Sequence, residues 1–241
     1  MEQSITFKNS LQNIYPLLLS KKKRKYVIIK RVLDVIIAGV CLVIMSPLFI
    51  AVAICIKCES PYEKIFFFQK RVGCNGKTFN IIKFRSMKSN MPDNLATCDV
   101  KNPEKYMSCV GKFIRKTSID ELPQLWNVLR GDMSIIGPRP LILAEKEIHT
   151  LRQRYGIYQI LPGITGLAQV NGRDILDICE KVSLDWMYLK CFGPIQDIKI
   201  ICSTIRVVFK HEGYHEGKIL KYMKEGTNDT CIHCWEQGNT G

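Results

Sequence analysis

The chain has 241 residues, enough for one domain of ordinary size with a small extension. A hydrophobic content of 46% supports a packed core and excludes general disorder. The formal charge of +13 calls for an anionic partner: nucleic acid, an acidic membrane surface or phosphorylated substrates. From the N-terminus, a basic lead over residues 1–30 carries Lys21-Lys22-Lys23-Arg24-Lys25, and Lys30 and Arg31 follow. Residues 32–56 are then almost wholly apolar, with Asp34 as the one charge. As a straight helix this stretch would measure about 37 Å, sufficient for a hydrocarbon core of roughly 30 Å. A secretory signal is a poor alternative, because some thirty residues precede it and its apolar run is too long.

Two features argue against a simple crossing. Ser46-Pro47 interrupts the run, and proline removes a backbone donor and forces a kink, leaving halves of about 21 and 15 Å. Basic residues also flank both ends, with Lys57, Lys64, Lys70 and Arg71 on the far side, so both ends claim the cytoplasmic face. A helix that enters over 31–57, bends at Ser46-Pro47 and returns satisfies both observations. The rival is a kinked span with an exterior C-terminal domain. Eleven irregularly spaced cysteines read as reduced thiols facing a cytosol, which weighs against that rival.

Beyond the apolar run, "KIFFFQKRVG" and "KTFNIIKFRSM" read as two strands joined by a "CNGK" hairpin turn. Residues 89–109 are polar and turn-rich, a surface loop. A helix is expected over 119–129, starting close to Asp120 because Pro123 is tolerated only in a first turn. "GDMSIIGPRPL" reads as a loop, "LAEKEIHTLRQRYGIY" as a polar helix and "LPGITGLAQVNGRD" as a turn-rich stretch. Apolar residues at 195, 198, 201, 205, 208 and 209 form a helical stripe opposite Lys199, Arg206 and Lys210. That stripe suits either a membrane surface or a packed core face. Residues 212–241 form a polar tail, whose Cys231-Ile-His-Cys234 lacks the second ligand pair of a zinc site.

The stretch "KTSIDELPQLWNVLRGDMSIIGPRP" sets Asp120 beside Glu121 in a basic, half-apolar context. Adjacent acids are usually solvated surface. Here the expected helix start favours negative charge, and Arg115, Lys116 and Arg139 lie close in sequence. Histidine-based chemistry is poorly supplied, since none of His149, His211, His215 and His233 falls in a motif. No phosphate loop of the G-x-x-x-x-G-K-[ST] type is present.

With "KRVLD", the Ser46-Pro47 segment, "QKRVGCNGKTFNIIKFRSM", "IRKTSIDELPQLWNVLRGDMSIIGPRP" and "LPGITGLAQVNGR" in this order, the chain resembles the monotopic polyprenol-phosphate phosphoglycosyl transferases, also called bacterial sugar transferases. The likeness runs from about residue 30 to 209 and is closest to the small form, without a preceding multi-helix membrane bundle. It implies an α/β fold: a re-entrant membrane helix followed by a compact cytosol-facing catalytic domain over 58–211, with amphipathic interfacial helices. It further implies a bacterial inner-membrane enzyme that moves a phosphosugar from a UDP-sugar to polyprenol (undecaprenyl) phosphate, with Mg2+. In that pattern Asp120 is the nucleophile and lies at the metal, and Glu121 assists as a base or in the metal environment. Arg115 and Arg139 match phosphate- or nucleotide-binding positions, with Lys83 and Arg85 as further candidates. Asp185 and Asp197 also fall in the matched part, although "DWMYLKCFGP" departs from the family's usual polar residues there.

The chemistry needs such a setting. A carboxylate attacking an anionic pyrophosphate must overcome repulsion, so cations and a metal are required. Two rivals are a basic membrane-bound adaptor without catalysis and a transferase working through a ternary complex. Nucleic acid is not expected as a partner, a homo-oligomer is allowed, and the identity of the sugar is open.

Overall fold

The structure is a computed structural model that describes residues 21–87, 107–172 and 176–210. Two helices open it: α1 (Lys21–Ile44) and α2 (Ser46–Glu59), separated by Met45 and bent by 59°. The cause is local. Pro47 has no amide hydrogen, so the carbonyl of Val43 loses its helical donor; the Ser46 hydroxyl donates to it instead at 2.8 Å. The ladder continues on either side, with Met45 donating to Cys41 at 2.9 Å and Phe49 to Met45 at 3.0 Å. In hydrocarbon a bare carbonyl is costly, so Ser-Pro makes a bend without an orphan. Among the described residues no single helix is long and apolar enough to cross a membrane, while the bent pair passes by length and composition. The break falls one residue before the predicted Ser46-Pro47 site. Residues 21–30 of the basic lead share one helix with the apolar run.

Strands β1 (Phe66–Val72) and β2 (Thr78–Phe84) form the predicted antiparallel hairpin, in register from Phe66↔Phe84 to Val72↔Thr78. The turn places Asn75 and Gly76 in left-handed conformations, at φ 56° and 70°. Strands β3 (Ser134–Ile136) and β4 (Leu141–Ile142) follow, then β5 (Gly163–Thr165). β4 extends the hairpin into a sheet of order β2-β1-β4, and β3 pairs in parallel with β5. This corrects the loop reading of 131–141, which holds β3 and the first residue of β4. Strands of two or three residues show no alternation in sequence, and their partners lie far away along the chain.

The helices are α3 (Cys109–Lys116), α4 (Gln124–Arg130), α5 (Lys146–Arg154), α6 (Leu167–Asn171), α7 (Ile178–Lys190) and α8 (Pro194–Lys210). α5 and α8 answer to the predicted helices, and α6 with β5 replaces the turn-rich reading of 161–174. α7 carries the first six residues of the departure "DWMYLKCFGP" and starts with a capping box between Asp177 and Glu180. One core lies where Ile136, Leu167, Leu184, Tyr188 and Ile200 meet; another joins Ala38 of α1 to Ile81, Leu125, Val128 and Met133. On α8 the described part of the stripe, over 195–205, faces outward: Ile195 is 72% exposed, Ile198 61% and Ile205 52%, while Asp197 and Ile200 are buried. The core-face alternative for that stripe is therefore corrected.

The bent helix is tied to the domain by polar groups. Lys23 donates to the carbonyls of Leu189 and Lys190 at the end of α7, at 3.0 and 2.5 Å. Arg31 does the same for Val128 and Leu129 at the end of α4, at 2.6 and 3.0 Å. Cations at helix C-termini satisfy orphan carbonyls and complement the helix dipole. Buried Lys30 meets Asp197 at 2.8 Å and Asp34 at 3.7 Å, and Asp197 also accepts from Tyr26 and Tyr188. Asp34 accepts from the Ser134 hydroxyl at 2.7 Å and the Ile135 amide at 3.3 Å. The one charge of the apolar run is thus the tie between α1 and β3. At the other arm, Glu59 of α2 accepts from the Cys109 and Val110 amides at the start of α3, at 2.7 and 3.0 Å. The eight cysteines of the described residues are free thiols.

Candidate active site

The acidic pair is presented by a strained reversal. α3 ends at Lys116, and Ser118 adopts the left-handed conformation, φ 58° and ψ 16°, before a 3-10 turn over Ile119–Glu121. A non-glycine residue there costs roughly 1 kcal/mol, a strain typical of functional loops. The turn leads into Pro123, whose φ of −61° suits the entry to α4. The acids therefore precede α4 in their own turn, where a continuous helix was expected over 119–129.

Asn127 fixes this turn against the sheet. Its side chain accepts from the Ile82 amide at 3.0 Å and donates to the Asn80 carbonyl at 2.8 Å, so it bonds the open edge of β2 as another strand would. That join brings Lys83 of β2 beside the acids. Lys83 Nζ donates to Glu121 Oε1 at 2.7 Å, and Arg139 Nη2 reaches the same oxygen at 3.3 Å. Glu121 thus bridges two cations beside Asp120.

Asp120 is 7% exposed, and its carboxylate makes no hydrogen bond or close ion pair among the described residues. Burial pushes its pKa above the usual aspartate value; Glu121 adds to the rise, while Lys83, Arg115 and Arg139 pull against it. Burial also lowers the pKa of Lys83, opposed by Glu121 and assisted by Arg139. The result is a desolvated carboxylate with open lone pairs, ringed by positive charge. Such a group can attack an electrophile that is itself anionic.

Arg139 enters from the β3–β4 connection, and its side chain is 37% exposed, the most open of the cluster's paired groups. The connection is locked by backbone contact. Gly137 donates to the Thr165 carbonyl at 2.9 Å, and Gly163 donates to the Pro138 carbonyl at 2.9 Å. A Cβ on Gly137 would lie 2.4 Å from the Leu161 carbonyl oxygen, so only glycine allows this approach. The two motifs "GPRP" and "LPGITG" are thus two sides of one packed junction.

The structure brings together Asp120, Glu121, Lys83 and Arg139, with Arg115 close enough to act on Asp120 electrostatically. Arg115 Nη1 lies 3.7 Å from the Met87 sulfur. Arg85 bonds toward the start of β1, pairing with Glu63 at 3.3 Å and donating to the Lys64 carbonyl at 3.0 Å. Ser46 and Pro47 sit at the helix bend. Asp197 and Asp185 lie in buried pairs, with Lys30 and Arg152 respectively. Sequence reasoning missed Asn127 and Ser118. Asn127 had a faint signal, an amide inside an otherwise apolar helix face; Ser118 had none. Residues 231–234 and most of 89–109 lie outside the described residues.

Among the described residues no cluster of three or more acid, histidine or cysteine side chains could cage a metal. Asp120 with Glu121 is a donor set that fits Mg2+, which keeps its waters and takes one or two carboxylates with substrate phosphates.

The family described as bacterial sugar transferase matches residues 25–211. The chain belongs to the bacterial sugar transferase family. It is 40% identical over 185 residues to the UDP-glucose:undecaprenyl-phosphate glucose-1-phosphate transferase of Escherichia coli K12, covering 74% of this chain and 39% of that protein. It is 37% identical over 205 residues to the undecaprenyl-phosphate galactose phosphotransferase of Salmonella typhimurium, covering 79% and 42%. With the uncharacterized sugar transferase EpsL of Bacillus subtilis the identity is 38% over 193 residues, covering 78% and 91%. The match therefore spans about two-fifths of the first two proteins and nine-tenths of the third. For this family, the bend, the hairpin, the acidic turn and the glycine junction account physically for the motifs quoted above.

Proposed function

We propose that the protein is a phosphoglycosyl transferase that moves a phosphosugar from a UDP-sugar to polyprenol phosphate at the cytoplasmic face of the bacterial inner membrane. The observation that carries this reading is a buried Asp120 carboxylate without a bonded partner among the described residues, facing three cations. Names of relatives that act on undecaprenyl phosphate support the acceptor, and the bent helix pair with exposed apolar residues supports a membrane-seated arrangement. An outward apolar stripe on α8, with Lys199 and Arg206 on the same helix, suits the same surface.

In this mechanism Lys83, Arg115 and Arg139 bind and orient the donor pyrophosphate. An Asp120 oxygen attacks the β-phosphorus, the bond from that phosphorus to the bridging oxygen breaks, and the electron pair leaves with UMP. An oxygen of the polyprenol phosphate then attacks the aspartyl phosphosugar at the same phosphorus, and Asp120 returns as a carboxylate. Glu121 holds Lys83 and Arg139 in place through both half-reactions. Mg2+, held by Asp120 and Glu121 together with donor phosphates, would supply further charge neutralisation.

The deciding experiment incubates the full chain with radiolabelled UDP-sugars and no lipid acceptor. Label trapped on Asp120, with release of UMP, is expected. Turnover of donor and lipid by Asp120→Asn would sink the reading, and an unlabelled wild-type protein that turns over both would favour a ternary complex. An adaptor without catalysis would release no UMP at all.

A further inference from the structure

The backbone of Arg139 is held by a second, fully buried ion pair that belongs to neither the acidic turn nor the membrane helix. Arg152 of α5 is 3% exposed and Asp185 of α7 is 1% exposed. One guanidinium nitrogen of Arg152 donates to Asp185 Oδ2 at 2.5 Å; the other donates to the carbonyl oxygen of Arg139 at 2.7 Å. The carbonyls around it are claimed as well: Pro138 accepts from the Gly163 amide, and Pro140 from Arg71 at 3.2 Å. Both flanking residues are prolines, with φ restricted and no amide hydrogen to offer. Three consecutive carbonyls therefore set the direction in which the Arg139 side chain leaves the loop.

The brace has a second support from the same helix. His149 of α5 bonds the Ile142 carbonyl of β4 through Nε2 at 2.8 Å and the Tyr158 hydroxyl through Nδ1. A carbonyl can only accept, so Nε2 carries the proton and Nδ1 accepts from Tyr158. Burial lowers the pKa of His149, in keeping with a neutral ring. α5 thus fixes both ends of the segment from Arg139 to Ile142.

We infer that Arg152 and Asp185 are positioning residues for the donor site: Asp185 orients the Arg152 fork, and Arg152 fixes the Arg139 backbone so that its guanidinium meets the donor phosphates. This rests on the reading that Arg139 binds the donor. Geometry distinguishes the two roles of Arg152, because the guanidinium sets two separate nitrogens on two acceptors, a spacing that one ammonium nitrogen does not reproduce. A lysine at 152 can keep the pair with Asp185 and still lose the bond to Arg139.

The test uses UDP as the probe, since it carries both phosphates and does not depend on the sugar. Affinity is measured by calorimetry on the full chain in detergent, with the melting temperature recorded for every variant. Arg152→Lys is expected to weaken UDP binding about tenfold, the scale of one lost positioning hydrogen bond, while melting close to wild type. In an Arg139→Ala background the same change should have no further effect, since the residue it positions is gone. Should Arg152→Lys fail to fold, Asp185→Asn is read in the same cycle, with a smaller weakening of about threefold expected. Unchanged UDP affinity in Arg152→Lys, or equal loss in both backgrounds, overturns the inference while leaving the role of Arg139 intact. Unchanged affinity in Arg139→Ala alone overturns the donor assignment and this inference with it.

Discussion

Two buried aspartates divide the labour of this fold. Asp185 lies against Arg152 at hydrogen-bond distance, its charge matched by a partner that is matched in turn. Asp120 is nearly as buried but has only cations at a distance and an acidic neighbour. Burial pushes the pKa of both upward, and in both cases arginine pulls against it. What differs is the lone pairs. Asp185 has one oxygen bonded to Arg152, while among the described residues those of Asp120 are open, which is the difference between a brace and a nucleophile.

The largest effect is expected at Asp120. Asp120→Asn should lower turnover by roughly a thousandfold or more, as removal of a nucleophile does, measured as UMP release with donor, lipid and Mg2+. Its melting temperature should rise rather than fall. A carboxyl whose folded-state pKa is raised contributes stability only at low pH and loses it as pH climbs through that value, so at neutral pH the charge is a burden. Asp185 carries the same burial penalty, but its bonded Arg152 outweighs it, so Asp185→Asn should lower stability. It leaves a buried guanidinium unmatched, and denaturant unfolding should show a loss of about 3 kcal/mol. If both variants melted alike, the contrast between the two aspartates would fail.

Acidity sharpens the comparison next. The attacking form of Asp120 is deprotonated, so kcat/KM for the donor should fall as pH drops through its raised pKa. That acid limb should lie above the ordinary aspartate value of about 4. Glu121→Gln removes the negative neighbour that adds to the rise, so the limb should move to lower pH. The same change loosens Lys83 and Arg139, and a fall in kcat/KM of about tenfold should accompany it. A pH profile unmoved by this substitution would mean that the pair does not communicate.

The smallest effect concerns another lone pair. Ser46→Ala removes the donor to the Val43 carbonyl and leaves that group bare at the bend. A loss of about 1 kcal/mol in unfolding from bilayer or micelle is expected. Restoring an amide hydrogen in the double variant Ser46→Ala with Pro47→Ala should recover it and straighten the helix. Cysteine labelling at residues 32 and 57 from both sides of the membrane would detect the change in path.

Much of this was legible in the sequence because it is local. The Ser-Pro bend needs only the absence of one hydrogen, and the Asn-Gly hairpin only two left-handed residues. The candidate acids and cations were legible as residue types, and the family likeness put them in order. Burial was not. Whether the α8 stripe faced core or exterior, whether Asp34 was a flaw or a tie, and which of three aspartates was open are settled by distant parts of the chain, such as Ser134 for Asp34 and Arg152 for Asp185. Periodicity records which face of an element is apolar, but pairing energy depends on distance, and only the folded chain sets distances between Arg152, Asp185 and the carbonyl of Arg139.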